Sequence, residues 1–267
     1  MPFRKKSFRE TLSEIMKRFS AGGIGDTYMQ SILAIIRNEI SRALPDDDSV
    51  KQTVRESLTK VFENVTNPRK LSANVPGVKE YTIAMVKPEL RKLLDQKILQ
   101  SVNLITLRRD EAVERTLARF QGWTTSIPPT GATKESIAEA KENILKSTAR
   151  ERFEWRRVTI DQGHKLSANV EAVVALQNGA IAAEWRSHWR DASYNARPDH
   201  KARDKKIYAI RGNDALRAGL MKRGKNGYWE DMTQPAEEPY CRCWARYINN
   251  LNDLPDDMLT EKGRKAL

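Results

Sequence analysis

The sequence predicts a mainly α-helical protein with a small α+β domain near its C-terminal end: long amphipathic helices followed by a short-stranded, loop-rich unit. Three observations predict it. Apolar residues recur at helical spacing over most of the chain up to Gly179. Beyond that point short apolar runs alternate with Gly212, Gly219, Gly224, Gly227, Pro235 and Pro239. Of the 267 residues, 39% are apolar and 31% charged, which suits helices with wide solvated faces or a chain that completes its burial against a partner.

In chain order, Phe8, Leu12, Ile15, Met16 and Phe19 line one face of a basic amphipathic helix over 4–19. The Ala21–Gly25 stretch breaks it, and Asp26 is a cap for the next helix. That helix is carried by Tyr28, Met29, Ile32, Leu33, Ile35, Ile36 and Ile40 and ends before Pro45. Asp46, Asp47 and Asp48 suggest a metal site, but they directly precede the apolar series Val50, Val54, Leu58, Val61, Phe62 and Val65. Carboxylates there cap free amides and offset the helix dipole, so the structural role is preferred.

Residues 67–77 read as a loop, and 78–87 as either a strand or a short helix. From Glu89 a long helical pattern runs through Leu90, Leu94, Ile98, Ile105, Val113, Leu117 and Phe120. The Ser126–Gly131 break, with Pro128 and Pro129, is the expected domain boundary. Thr133 caps a further helical region that Gly179 ends. Short strands are expected at 181–185, 206–210 and 241–248. The domain reading is thus a helical region over 1–130, a second domain over 131–250 and a polar tail over 251–267.

A formal charge of +12 favours anionic surroundings. Much of it lies between Arg186 and Lys225, where twelve Lys/Arg face four Asp/Glu. Within that stretch Arg186, Arg190, Lys201, Arg203, Lys205, Lys206, Lys222, Arg223 and Lys225 are expected to contact nucleic acid without sequence preference, with Trp and Tyr interleaved for stacking. No apolar run approaches the roughly eighteen residues that span a bilayer, and the N-terminus does not read as a secretory signal. Phosphate-cradling glycine motifs are missing as well, so nucleotide-driven chemistry has no sequence support. Two cysteines one residue apart fit synthesis in a reducing cytoplasm.

Cys241 and Cys243 in a strand would direct both sulfurs to one face. With His200 they form part of a tetrahedral zinc site, for which His188, Asp199 or Asp204 would be the fourth ligand. The alternatives are a pair of buried free thiols and a cysteine nucleophile activated by His200.

The order of features in this region resembles the phage Mu F-like (SPP1-type) head morphogenesis family, the minor head proteins of tailed phages. The resemblance covers about residues 150–250. It rests on Glu184-Trp185-Arg186, Arg197-Pro198-Asp199-His200 and Cys241-Arg242-Cys243, with Pro235 and Pro239 in the intervening loop. It departs from the family pattern in the crowd of Lys and Arg after His200 and in Gln234–Pro239, which replaces Pro-Gly-x-Pro pacing. It implies a non-enzymatic virion protein at the portal vertex of the phage head, made in the host bacterial cytoplasm. Portal, capsid and scaffold proteins would be its partners, with packaged DNA as a non-specific contact. Trp185, Arg197, Pro198, His200, Cys241 and Cys243 would hold the C-terminal fold together, with zinc or without it. A portal-bound connector and a metal-dependent hydrolase or nuclease are the competing classes.

Overall fold

A computed structural model describes residues 7–20, 26–188 and 193–267; the side chains of 26, 27 and 147–153 lie outside the description. The expected Ala21–Gly25 break and the capping by Asp26 therefore fall outside it, as do Arg190 and the first residues of the basic helix. The chain divides into two compact units that interleave in sequence: 1–54 with 100–158, and 55–99 with 159–267. The boundary expected near residue 131 falls within the first of these.

The first unit is helical. Helix α1 (Phe8–Phe19) starts at a capping box in which Ser7 Oγ accepts the Glu10 N–H while the Glu10 carboxylate accepts the Ser7 N–H. It buries the five apolar residues that its periodicity predicts. Helix α2 (Asp26–Ala43) adds Ile32, Ile36 and Ile40 to the same core, whereas Ile35, one position off the stripe, is 44% exposed. Asp46 Oδ1 accepts the Ser49 N–H at 2.7 Å ahead of α3 (Asp47–Val65), and that bond holds the Asp46 carboxyl below the usual range. Asp46 thus serves the helix start; Asp47 and Asp48 lie in the first turn, and Asp47 pairs with Arg109 at 2.6 Å.

Val113, Leu117, Phe120 and Trp123 of α5 (Glu80–Thr125) and Ile144 of α6 (Lys134–Gln177) complete this core, with Phe120 edge-on to Phe19 at 5.4 Å. Gly131, at φ 89°, joins the two helices; a Cβ there would stand 2.7 Å from the Ser20 carbonyl oxygen, so only glycine fits.

The second unit starts in the later part of α3. Residues 67–71, expected as loop, contain a short helix, α4 (Pro68–Leu71), which Asn67 caps and which has Pro68 at its first position. Residues 80–87 belong to α5, which runs through Pro88. An interior proline removes one backbone hydrogen bond, and the flanking turns keep theirs.

After α6 comes a three-stranded antiparallel sheet of order β2-β1-β3: β1 (Ala182–Arg186), β2 (Ile207–Ala209) and β3 (Trp244–Ile248). Alternation assigns its faces. Ala182, Ala209 and Ile248 pack on Leu254, Met258 and Leu259. Trp185 and Tyr247 lie on the opposite face, where both rings meet Trp229 at 6.0 and 6.4 Å. The polar tail expected over 251–267 accordingly packs against the domain. Leu254, Met258 and Leu259 are buried, and α9 (Glu261–Lys265) rests on the Leu220 backbone. The remaining helices, α7 (Pro198–Arg203) and α8 (Asp214–Arg217), are single turns between strands.

A candidate metal centre

The Arg-Pro-Asp-His element forms α7, with Pro198 preset for the first helical position. One turn places His200 inward, fully buried, with its ring edge-on to Trp185 at 5.1 Å. Cys241 and Cys243 precede β3 instead of lying within it, which corrects the strand expected over 241–248. Their sulfurs still point the same way. His200 Nδ1 stands 3.6 Å from Cys241 Sγ and 3.5 Å from Cys243 Sγ, and the three donor atoms lie within 4.8 Å of one another.

The loop before the cysteines is shaped around these sulfurs. Ala236 holds φ 65° and donates its N–H to Cys241 Sγ at 3.4 Å. The His188 N–H donates to Cys243, whose Sγ also lies 3.8 Å from Ser187 Oγ. Arg197 fastens the other side of the loop: Nε pairs with Glu238 at 2.6 Å and Nη2 donates to the Pro239 carbonyl at 3.0 Å.

Cys241 is pulled down to about 5, first by the hydrogen bond from Cys243 and then by the Ala236 N–H and the nearby imidazole, against the opposing effect of burial. Cys243 is pushed up because it is the donor in that bond and is itself buried.

This donor set fits zinc. Zn–S bonds of about 2.3 Å and a Zn–N bond of about 2.0 Å at a tetrahedral angle place nitrogen and sulfur roughly 3.5 Å apart, which matches both measured separations. With Nδ1 directed at the sulfurs, His200 Nε2 is buried without a hydrogen bond, and the Glu238 and Asp199 carboxylates lie 3.6 and 3.8 Å away. A carboxylate behind the distal nitrogen is the usual support of a metal-bound histidine.

The expected fourth ligands lie elsewhere. Asp199 binds Arg203 at 3.1 Å, Asp204 accepts the Ser187 N–H, and the His188 ring packs on Tyr194. Each is close in sequence to the centre, but its backbone directs it away. Among the described residues the converging group numbers three.

The expected nucleic-acid contacts divide. Arg186 pairs with Glu184 at 2.8 Å and lies over Trp244. Arg203 donates to Thr233, pairs with Asp199 and stacks on Trp185 at 5.1 Å, so internal packing takes up its guanidinium. Lys201, Lys205, Lys206, Lys222, Arg223 and Lys225 are exposed. Lys206 and Lys225 flank one edge, since Asn226 donates to the Ile207 carbonyl of β2.

Sequence reasoning passed over Asp161, His164 and Glu171. Asp161 and Glu171 left a signal in α6, as acids buried beside the stripe of Val158, Leu166, Val170 and Val174, where apolar residues belong; His164 is exposed and left none. Among the described residues no helix is long and apolar enough to cross a membrane. Comparison with family models, curated proteins and solved structures gave no match.

Proposed function

We propose that this chain is a non-enzymatic minor head protein of a tailed phage, acting in head morphogenesis at the portal vertex. The observation that carries the reading is the joining of its two resembling motifs. Arg197, Pro198 and His200 on one side and Cys241-Arg242-Cys243 on the other, about forty residues apart in sequence, meet around one buried point. Motifs that stand in for a core in this way suit a small domain that a bound ion holds closed, and zinc is the ion that His200, Cys241 and Cys243 select.

Two further features support the reading. The exposed lysines and arginine beside β2 suit non-specific contact with packaged DNA. The N-terminal helices carry large apolar side chains in the open, among them Tyr28, Ile35 and Leu107, as a surface for portal, capsid or scaffold proteins would.

Quantitative mass spectrometry of DNA-filled particles tests the proposal, with copy number referenced to the portal protein. A few copies per particle are expected. A copy number equal to the portal ring would replace the reading with a connector, and absence from particles would overturn it.

One observation favours a second reading, a metal-dependent hydrolase. The set of three protein donors is that of catalytic zinc sites, which leave one position to water, and Cys243 also lines a cavity. Hydrolysis of nucleic acid that disappears in His200→Ala while the fold persists would establish it.

A further inference from the structure

A cavity of about 420 Å³ opens beside Cys243, between one face of α6, the segment leading into β3 and the turn at Asn74. Its volume lies in the range of small-molecule sites. His164 and Glu171 lie seven residues apart on α6 and so roughly 10 Å apart along its axis. Arg242 follows Tyr240, whose N–H bonds Asp161 one turn before His164, and it lines the cavity together with His164 and His188. The guanidinium of Arg242 stacks over Tyr194 at 5.3 Å, which fixes its plane. At the far end Glu171 is 92% buried, and its Oε1 accepts bonds from Asn74 Nδ2 at 3.0 Å and Ser167 Oγ at 3.3 Å; among the described residues no bond is made to Oε2. Trp244 forms part of the wall.

We propose that this cavity binds a nucleotide, a phosphate monoester carried on a nucleoside. The phosphate is held by Arg242, His164 and His188, the base lies against Trp244, and a donor group of the nucleoside reaches Glu171. A guanidinium with two imidazoles is a donor set for an oxyanion, and an indole offers a stacking surface that accepts any base. A separation of about 10 Å between His164 and Glu171 exceeds the reach of inorganic phosphate or a free amino acid and suits a mononucleotide. A second metal is the competing use of histidine and carboxylate, but these groups do not converge: among the described residues the group of three that does is His200 with the two cysteines. The inference stands apart from the head-protein reading. The same chemistry has two sources, a free nucleotide or the 5′-terminal nucleotide of a DNA strand.

The test is calorimetric titration of the full, metal-loaded chain with deoxyadenosine monophosphate, deoxyadenosine, and one single-stranded oligonucleotide with either a 5′-phosphate or a 5′-hydroxyl. The monophosphate is expected to bind at least about tenfold more tightly than the nucleoside, and Arg242→Gln to remove that advantage, about 1.4 kcal/mol. Lys222→Gln, on the exposed edge, is expected to leave it intact. Tighter binding of the 5′-phosphorylated strand assigns the site to DNA ends; equal binding of the two strands assigns it to free nucleotide. Circular dichroism checks that Arg242→Gln is folded, and His164→Gln replaces it if it is not. Failure of every ligand to saturate at millimolar concentration overturns the proposal. So does equal loss in Arg242→Gln and Lys222→Gln, which would mark general surface attraction.

Discussion

Asp161 Oδ1 accepts the backbone N–H of Tyr240 at 2.5 Å, and Tyr240 sits at φ 59° immediately before Cys241. A helix residue about eighty positions upstream therefore holds a non-glycine residue in left-handed backbone, which costs on the order of 1 kcal/mol when nothing compensates. The carboxylate is 93% buried and also meets Lys165 at 3.3 Å. Asp161→Ala removes the acceptor and is expected to destabilise the fold by about 1–3 kcal/mol. Asp161→Asn keeps a carbonyl oxygen and loses less. Chemical denaturation measures both, and equal stability of the two variants would show that the backbone bond does not hold the turn.

The cluster of His200, Cys241 and Cys243 predicts metal content. Elemental analysis of protein purified without chelator is expected to give one zinc per chain, lost in Cys243→Ser. Chelation of the intact protein is expected to lower the melting temperature, because binding to a site made only on folding is folding free energy. If metal content and melting temperature are the same in Cys243→Ser, the thiols are structural and metal-free.

Glu171 predicts a pH dependence. Burial raises its carboxyl above the ordinary range, outweighing the Asn74 and Ser167 bonds that lower it. A folded-state value above the unfolded one gives stability that is complete below the unfolded carboxylate range and lost as pH rises through the folded value. Glu171→Gln is therefore expected to melt higher than the native chain at neutral pH, with the difference closing as pH falls below the usual carboxylate range. A constant difference across that window in thermal melts would contradict the assignment.

Gly263 tests the packing of the C-terminal segment. A Cβ there would come 1.9 Å from the Leu220 carbonyl oxygen, a backbone atom that cannot swing aside. Glycine to alanine inside an exposed helix ordinarily stabilises by up to about 1 kcal/mol. Here Gly263→Ala is expected to destabilise by about 1–3 kcal/mol, as overpacking does. A neutral or stabilising result in a denaturant series would mean that 261–267 is held loosely.

The sequence by itself determined what depends on near neighbours. Phe8 to Phe19 announced α1 because apolar side chains 3.6 residues apart form one stripe. Asp46 announced the start of α3 because a carboxylate can reach an amide three residues on. The trio of His200, Cys241 and Cys243 was legible because few residue types bind metal and this chain has few of them.

Tertiary structure decided what depends on partners distant in the chain. The sequence starts the long helix at Glu89 and leaves 78–87 open between strand and short helix, yet α5 runs from Glu80 through Pro88 because one lost backbone bond is outweighed by packing of the turns on either side. Residues 251–267 are polar on average, but Leu254, Met258 and Leu259 meet a sheet face that comes into being only when three strands pair. Arg186 and Arg203 carry the same charge as Lys206 and Lys225. The first two are drawn to Glu184, Asp199 and Trp185, and the others stay in solvent, because the fold brings an acid or a ring to some cations and not to others. The cavity between His164 and Glu171 has the same origin. Local pattern fixes which face a residue occupies, and only the packing of that face against another element decides whether a polar group there is paired, buried or left open to a ligand.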